Sequence, residues 1–125
     1  MKYHLYLVRI FVTDWPAALA FCRDTLEMPV DFESEEMGWA ELGIEGSSLA
    51  LERVADDDEE GRSMVGRFLG VSLEVDDVEA VYKTLCERGV TFSGPPARQP
   101  WGGTLAHFED PEGNVLTLLG GNADG

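Results

Sequence analysis

The chain has 125 residues, 44% of them hydrophobic, enough to enclose an apolar core without a disulfide or a structural metal. Its 24 Asp and Glu outnumber 9 Lys and Arg, for a formal net charge of -15, which excludes nucleic-acid partners and disfavours anionic membrane surfaces, since both are bound through basic patches. No secretory h-region opens the chain and no apolar run reaches the length of a membrane span, which points to a cytoplasmic protein with no membrane partner.

In chain order, an extended run from Tyr3 to Thr13 meets Asp14, a good helix N-cap, with Pro16 in the first turn where its missing N–H does no harm. The helix that follows carries the stripe Trp15, Ala18, Leu19, Cys22 and Leu26, and Pro29 stops it. Three short strands are expected next, at 30–33, 38–42 and 48–53, separated by turn residues that include Gly43, Gly46 and Ser47. The acidic run from Asp56 to Glu60 reads as a solvated linker.

The same order then recurs. An extended stretch from Phe68 to Val75 leads to a cap at Asp76 or Asp77 and a helix with the stripe Val78, Val81, Tyr82 and Leu85, ended by Gly89. Strands are expected at 90–92, 104–108 and 115–119, interrupted by a Pro/Gly-rich loop over 94–103 and the turn Asp110-Pro111-Glu112-Gly113. The pattern is βαβββ twice, an α+β class within a single domain over 1–125. Module one covers about 1–54, the linker 55–66 and module two about 67–120, with a frayed tail at 121–125. Cys22 and Cys86 fall on apolar helix faces without metal-ligand spacing, so both read as reduced, buried thiols.

Strand parity separates two faces, since alternate residues point to opposite sides of a sheet. Val8, Ile10 and Val12 form a wholly apolar face for the first helix, and Leu69, Val71, Leu73 and Val75 do the same in the second half. The opposite faces are left to line a ligand pocket. By parity they carry Arg9, Trp39, Glu41, Glu52, Glu74 and His107, with Trp101 added from the loop.

The stretch from Val8 to Pro29 resembles the opening βα unit of the vicinal oxygen chelate superfamily, which includes glyoxalases, bleomycin-resistance proteins and extradiol dioxygenases. Phe108 to Leu119, with Asp110-Pro111-Glu112-Gly113-Asn114, resembles its closing hairpin, and the stretch from Val71 to Ala80 resembles the start of its second module. The resemblance implies curved mixed sheets around a concave pocket and a homodimer. It leaves the reaction open, because the fold hosts both enzymes and drug-sequestering proteins.

In metal-dependent relatives the ion is held by a His or Gln on the first strand, Glu on the fourth, His on the fifth and Glu on the eighth. Those places fall here on Leu7, Glu52, Gly70 and Thr117, of which only Glu52 is a ligand type. One carboxylate does not hold a divalent ion in such a site. No cofactor is therefore expected.

Each candidate has two readings. The resemblance puts His107, ten residues before Thr117, where relatives present a substrate-facing Tyr. It is either a general base, paired with Glu41 from the pseudo-equivalent strand, or a strand histidine bonded to a nearby carboxylate. Arg9 either pairs with Glu52 or holds an anionic ligand group. Trp101 either stacks on a planar ligand or plugs the mouth of the sheet or a dimer seam, and Trp39 is either a ligand contact or a core or interface tryptophan.

The leading expectation is a metal-free protein binding a small aromatic or cationic compound. The alternative is a lyase, isomerase or dioxygenase using His107 with Glu41 or Glu52, with or without a non-standard divalent metal. With only Lys2 and Lys83 as lysines, the acid-rich surface resembles one adapted to salt, so net charge by itself does not identify a cationic ligand.

Overall fold

Each half of the chain closes its own sheet by laying its last strand beside its first. The computed structural model describes residues 1–120, and the chain divides into two units, Met1–Gly66 and Arg67 onward. The tail expected to fray at 121–125 lies outside the described residues. Among those residues no helix is long and apolar enough to cross a membrane.

The first unit runs β1 (Val8–Val12), α1 (Trp15–Ala20), β2 (Val30–Ser34), β3 (Trp39–Ile44) and β4 (Ser47–Arg53). Sheet order is β1-β4-β3-β2, with β1 parallel to β4. Ile10, Val12, Ala40, Leu42, Leu49 and Leu51 are buried on one face, and α1 covers it with Trp15, Ala18 and Leu19. The Asp14 carboxylate caps α1 by accepting from the Ala17 amide at 3.2 Å.

The first strand begins at Val8, not at Tyr3 as the alternation suggests. Register explains the difference. Val8 stands opposite Leu49 and β4 opens at Ser47, so residues ahead of Tyr6 have no neighbouring strand to bond. The helix also departs from a regular period. After Ala20 it widens into a π-helical turn over Phe21–Thr25, where the Leu26 amide bonds the Phe21 carbonyl at 2.9 Å. The wider turn shifts the phase of the stripe, so Cys22 is buried but Leu26 is only half-buried.

The acidic stretch after β4 is more than a solvated linker. It forms α2 (Glu59–Arg62), capped by the Asp58 carboxylate, which accepts from the amide of buried Gly61 at 2.9 Å. Glu59 and Glu60 occupy its first turn, where the helix dipole favours negative charge.

The second unit repeats the plan: β5 (Phe68–Glu74), α3 (Val78–Glu87), β6 (Thr91–Phe92), β7 (Ala97–Arg98), β8 (Thr104–Glu109) and β9 (Val115–Gly120). Its order is β5-β9-β8-β6, with β7 also on β8 and β5 parallel to β9. Asp77 is the cap of α3. Val78, Leu85, Val90, Ala106, Phe108, Leu116 and Leu118 form the core, and Tyr82 packs edge-on against Phe92 at 4.7 Å. Cys86 is exposed, contrary to expectation. It follows the stripe residue Leu85 by one position, about 100° around the helix, and so leaves the buried face.

The segment 94–103 is not simply a loop. Ala97 and Arg98 pair with Leu105 and Thr104, and Gln99 to Gly103 form a tight hairpin tip. There the Gly102 amide donates to the Gln99 carbonyl at 2.9 Å and the Gln99 amide to the Gly103 carbonyl at 2.8 Å. Gly102 takes the left-handed φ of 99° that a three-residue hairpin loop with a bulge requires. Trp101 lies back over the tip, and a Cβ on Gly103 would fall inside its indole ring.

The closing turn is built on one carboxylate. Asp110 accepts from the Glu112 amide at 2.9 Å, the Asn114 amide at 2.8 Å and the Asn114 side-chain amide at 2.8 Å, and Asn114 is fully buried. Asp110→Ala strips buried donors of their acceptor and is expected to lower the stability in urea unfolding by about 2 to 3 kcal/mol. Gly103→Ala is expected to cost about 1 to 3 kcal/mol through overpacking, and Trp101→Ala in the same chain should recover most of it. Equal costs with and without the indole would show that the ring is not what Gly103 accommodates.

Candidate functional site

With α1 on one side of the first sheet, the register decides what the other side carries. Two rows run across it. Phe11 stands opposite Glu52, Glu52 opposite Trp39 and Trp39 opposite Ser34. In the next row Arg9 stands opposite Ala50, Ala50 opposite Glu41 and Glu41 opposite Phe32. Arg9, Trp39, Glu41 and Glu52 therefore share one face of one sheet.

These side chains are engaged with one another. The Trp39 Nε1 donates to Glu41 at 2.9 Å, and Arg9 pairs with Glu52 at 3.2 Å while its guanidinium sits 5.2 Å from the centre of the Phe11 ring. The Arg9–Glu52 pair is not the buried one whose pairing is nearly obligatory, since the two side chains are 55% and 34% exposed. Such pairs contribute about 0 to 1 kcal/mol, so neither partner is locked in place.

A further carboxylate on this face, Asp31, escapes a reading by parity alone. Val30 pairs with Leu42 and Phe32 with Glu41, so Asp31 is the extra residue of a β-bulge. Its carboxylate lies 2.7 Å from where a Cβ on Gly43 would stand. The only sequence signal for it is the glycine at 43, directly after two strand residues that alternate correctly.

In the second unit His107 and Thr117 are cross-strand partners on the face away from α3. The His107 Nδ1 and the buried Thr117 hydroxyl are 2.8 Å apart, and Phe68 meets the imidazole edge-on at 5.6 Å. The partner of the imidazole is thus a hydroxyl and not the carboxylate anticipated. Glu41, offered as its acid/base partner, takes its hydrogen bond from Trp39 in its own unit. Glu74 is exposed on β5, and Trp101 is 62% exposed at the hairpin tip.

Of the places at which metal-dependent relatives carry ligands, only that of Glu52 has a ligand-type side chain here. In the first unit, Leu7 is apolar and Glu52 pairs weakly with Arg9. In the second, Thr117 is committed to His107, and Gly70 lies at a break in the β5–β9 register with φ of 74°, a conformation that a histidine rarely adopts. Among the described residues no three His, Cys, Asp or Glu side chains are grouped to hold a metal ion.

Comparison with known proteins agrees with this architecture. YraH, an uncharacterised protein of Bacillus subtilis, is 32% identical over 91% of this chain and 95% of its own. A crystal structure of a glyoxalase/bleomycin resistance protein/dioxygenase superfamily member from Sphaerobacter thermophilus is 34% identical, covers 96% of this chain and 98% of its own, and superposes with a TM-score of 0.82. TnmS3, an antibiotic binding protein from Streptomyces sp. CB03234, is 31% identical with a TM-score of 0.78, covering 96% of this chain and 97% of its own. The profile of that superfamily matches residues 4–118. With two βαβββ units, each closed by parallel pairing of its first and last strands, the chain belongs to the Glyoxalase/Bleomycin resistance protein/Dioxygenase superfamily.

Proposed function

We propose that this protein binds a small organic molecule without a metal ion. The observation that supports the reading is the loss of most of the superfamily's ligand set: Leu7, Gly70 and Thr117 stand at three of the four places, the Thr117 hydroxyl meets His107, and the one carboxylate kept, Glu52, pairs with Arg9. The face bearing Arg9, Trp39, Glu41 and Glu52 supplies contacts for the ligand. Exposed Phe32 and half-buried Trp39 offer aromatic surface, and Asp31, Glu41 and Glu52 exceed the positive charge of Arg9, which favours an aromatic compound with a cationic group. In the second unit, taken by itself, Glu74, His107 and Trp101 are the candidate contacts for a small molecule. The description of TnmS3 as an antibiotic binding protein supports a binding role over a catalytic one. Cys22 and Cys86 form no disulfide, which suits a reducing compartment such as the cytoplasm.

The test uses the full chain, purified without chelator, and proflavine as a planar aromatic cation. Saturable binding, followed by tryptophan quenching, is expected to be unchanged by EDTA or by added nickel, and Trp39→Ala is expected to weaken it about tenfold. Stoichiometric divalent metal in the purified protein, or binding that appears only when metal is supplied, would overturn the proposal. Glu52→Gln removes half of a weak pair, so it is expected to change the stability in urea by no more than about 1 kcal/mol. A larger loss would make Glu52 a structural residue instead of a binding one.

A further inference from the structure

We infer that Asp31 is the residue that selects the cation of the ligand, and that the ligand carries this cation as an ammonium group on an arm and not on its aromatic ring. The inference rests on the binding role proposed for the open face of the first unit. Of the carboxylates Asp31, Glu41 and Glu52 on that face, two are engaged within the sheet. Glu41 accepts from the Trp39 Nε1 at 2.9 Å, which fixes the indole, and Glu52 meets Arg9 at 3.2 Å, which offsets its charge. Asp31 forms no hydrogen bond or ion pair with another described residue. The negative charge left over for a ligand is therefore that of Asp31.

A bulge and a glycine place this carboxylate. As the extra residue between Val30 and Phe32, Asp31 has no cross-strand partner on β3, and its side chain turns toward Gly43. The three atoms nearest to an added Cβ at 43 all belong to the Asp31 carboxyl group, the closest at 2.7 Å. Gly43 thus leaves the space in which the carboxylate lies low over β3. A methyl group there displaces the carboxylate by a side-chain rotation, without forcing the sheet apart.

Strand spacing sets the form of the ligand. Trp39, Glu41 and Gly43 succeed one another on one face of β3, so the backbones of Trp39 and Gly43 are about 13 Å apart at the usual strand rise. The indole leans toward Glu41, yet a ring stacked on it still needs an arm of several atoms to bring a cation to Asp31. Exposed Phe32, opposite Glu41 in the row between, offers apolar surface along that path. A carboxylate with its lone pairs unoccupied accepts N–H donors, which favours a primary or secondary ammonium group.

Dansylcadaverine, an aromatic ring system bearing an aminopentyl arm, tests this on the full chain, with its uncharged N-acetylated form as the comparison. Both are followed by dansyl fluorescence. The wild type is expected to bind the amine about fivefold more tightly than the amide, and Asp31→Asn and Gly43→Ala are each expected to abolish that preference. Glu33→Gln removes the same charge from β2 on the helix side, where Glu33 stands opposite buried Ala40, and is expected to keep the preference. Equal binding of the two probes by the wild type, a preference that survives Asp31→Asn or Gly43→Ala, or one lost equally in Glu33→Gln would overturn the inference and leave the binding role standing. Absence of binding by either probe would overturn both.

Discussion

Parallel pairing of the first and last strand is the constraint on which both units depend. Laying β4 beside β1 puts Leu49 and Leu51 level with Val8 and Ile10, and that alignment sends the apolar set to α1 and the polar set to the other face. A shift of one residue would reverse the two sets and place Glu52 against the helix. The β5–β9 pair does the same work for α3, although a break in its register after Phe68 loosens the alignment around Gly70.

The two open faces differ in how firmly their polar groups are held. Arg9 and Glu52 meet across parallel strands with both side chains well exposed, a contact that a ligand group can replace at small cost. Thr117 is 3% exposed, and its hydroxyl is tied to an imidazole that an aromatic ring also flanks. Releasing that bond leaves a buried polar atom unsatisfied, which costs about 1 to 3 kcal/mol. The polar groups of the first face are adaptable and those of the second are set.

Much of this organisation is legible in the residues. Alternation in β1 and β5 separates buried from open side chains, and Asp14 and Asp77 mark helix starts because a short carboxylate is what the free amides there require. What escapes the sequence depends on neighbours distant in the chain. The bulge that brings Asp31 over Gly43 exists only in the pairing of β2 with β3, and the π-helical turn after Ala20 has no composition signature. Strand β7 is two residues long and is defined wholly by its bonds to β8, although Pro100, Gly102 and Gly103 together already carry the marks of a hairpin tip. Tyr3 to Leu7 shows the reverse error, since a strand pattern is present and the neighbouring strand is not. Cys86 lies outside the core despite its apolar neighbours because a single step along a helix turns a side chain from the core to the water.

Both sheets are completed within contiguous stretches of chain, Met1–Gly66 and Arg67 onward, and among the described residues no strand is exchanged between them. During synthesis the first sheet therefore has every strand it needs once β4 emerges, before the second half has been translated. Each closure must bring together residues as distant as Val8 and Leu49 or Phe68 and Val115, so the parallel pairing is the slow step within a half, yet it requires no strand of the other half. Folding can proceed vectorially, one unit after the other.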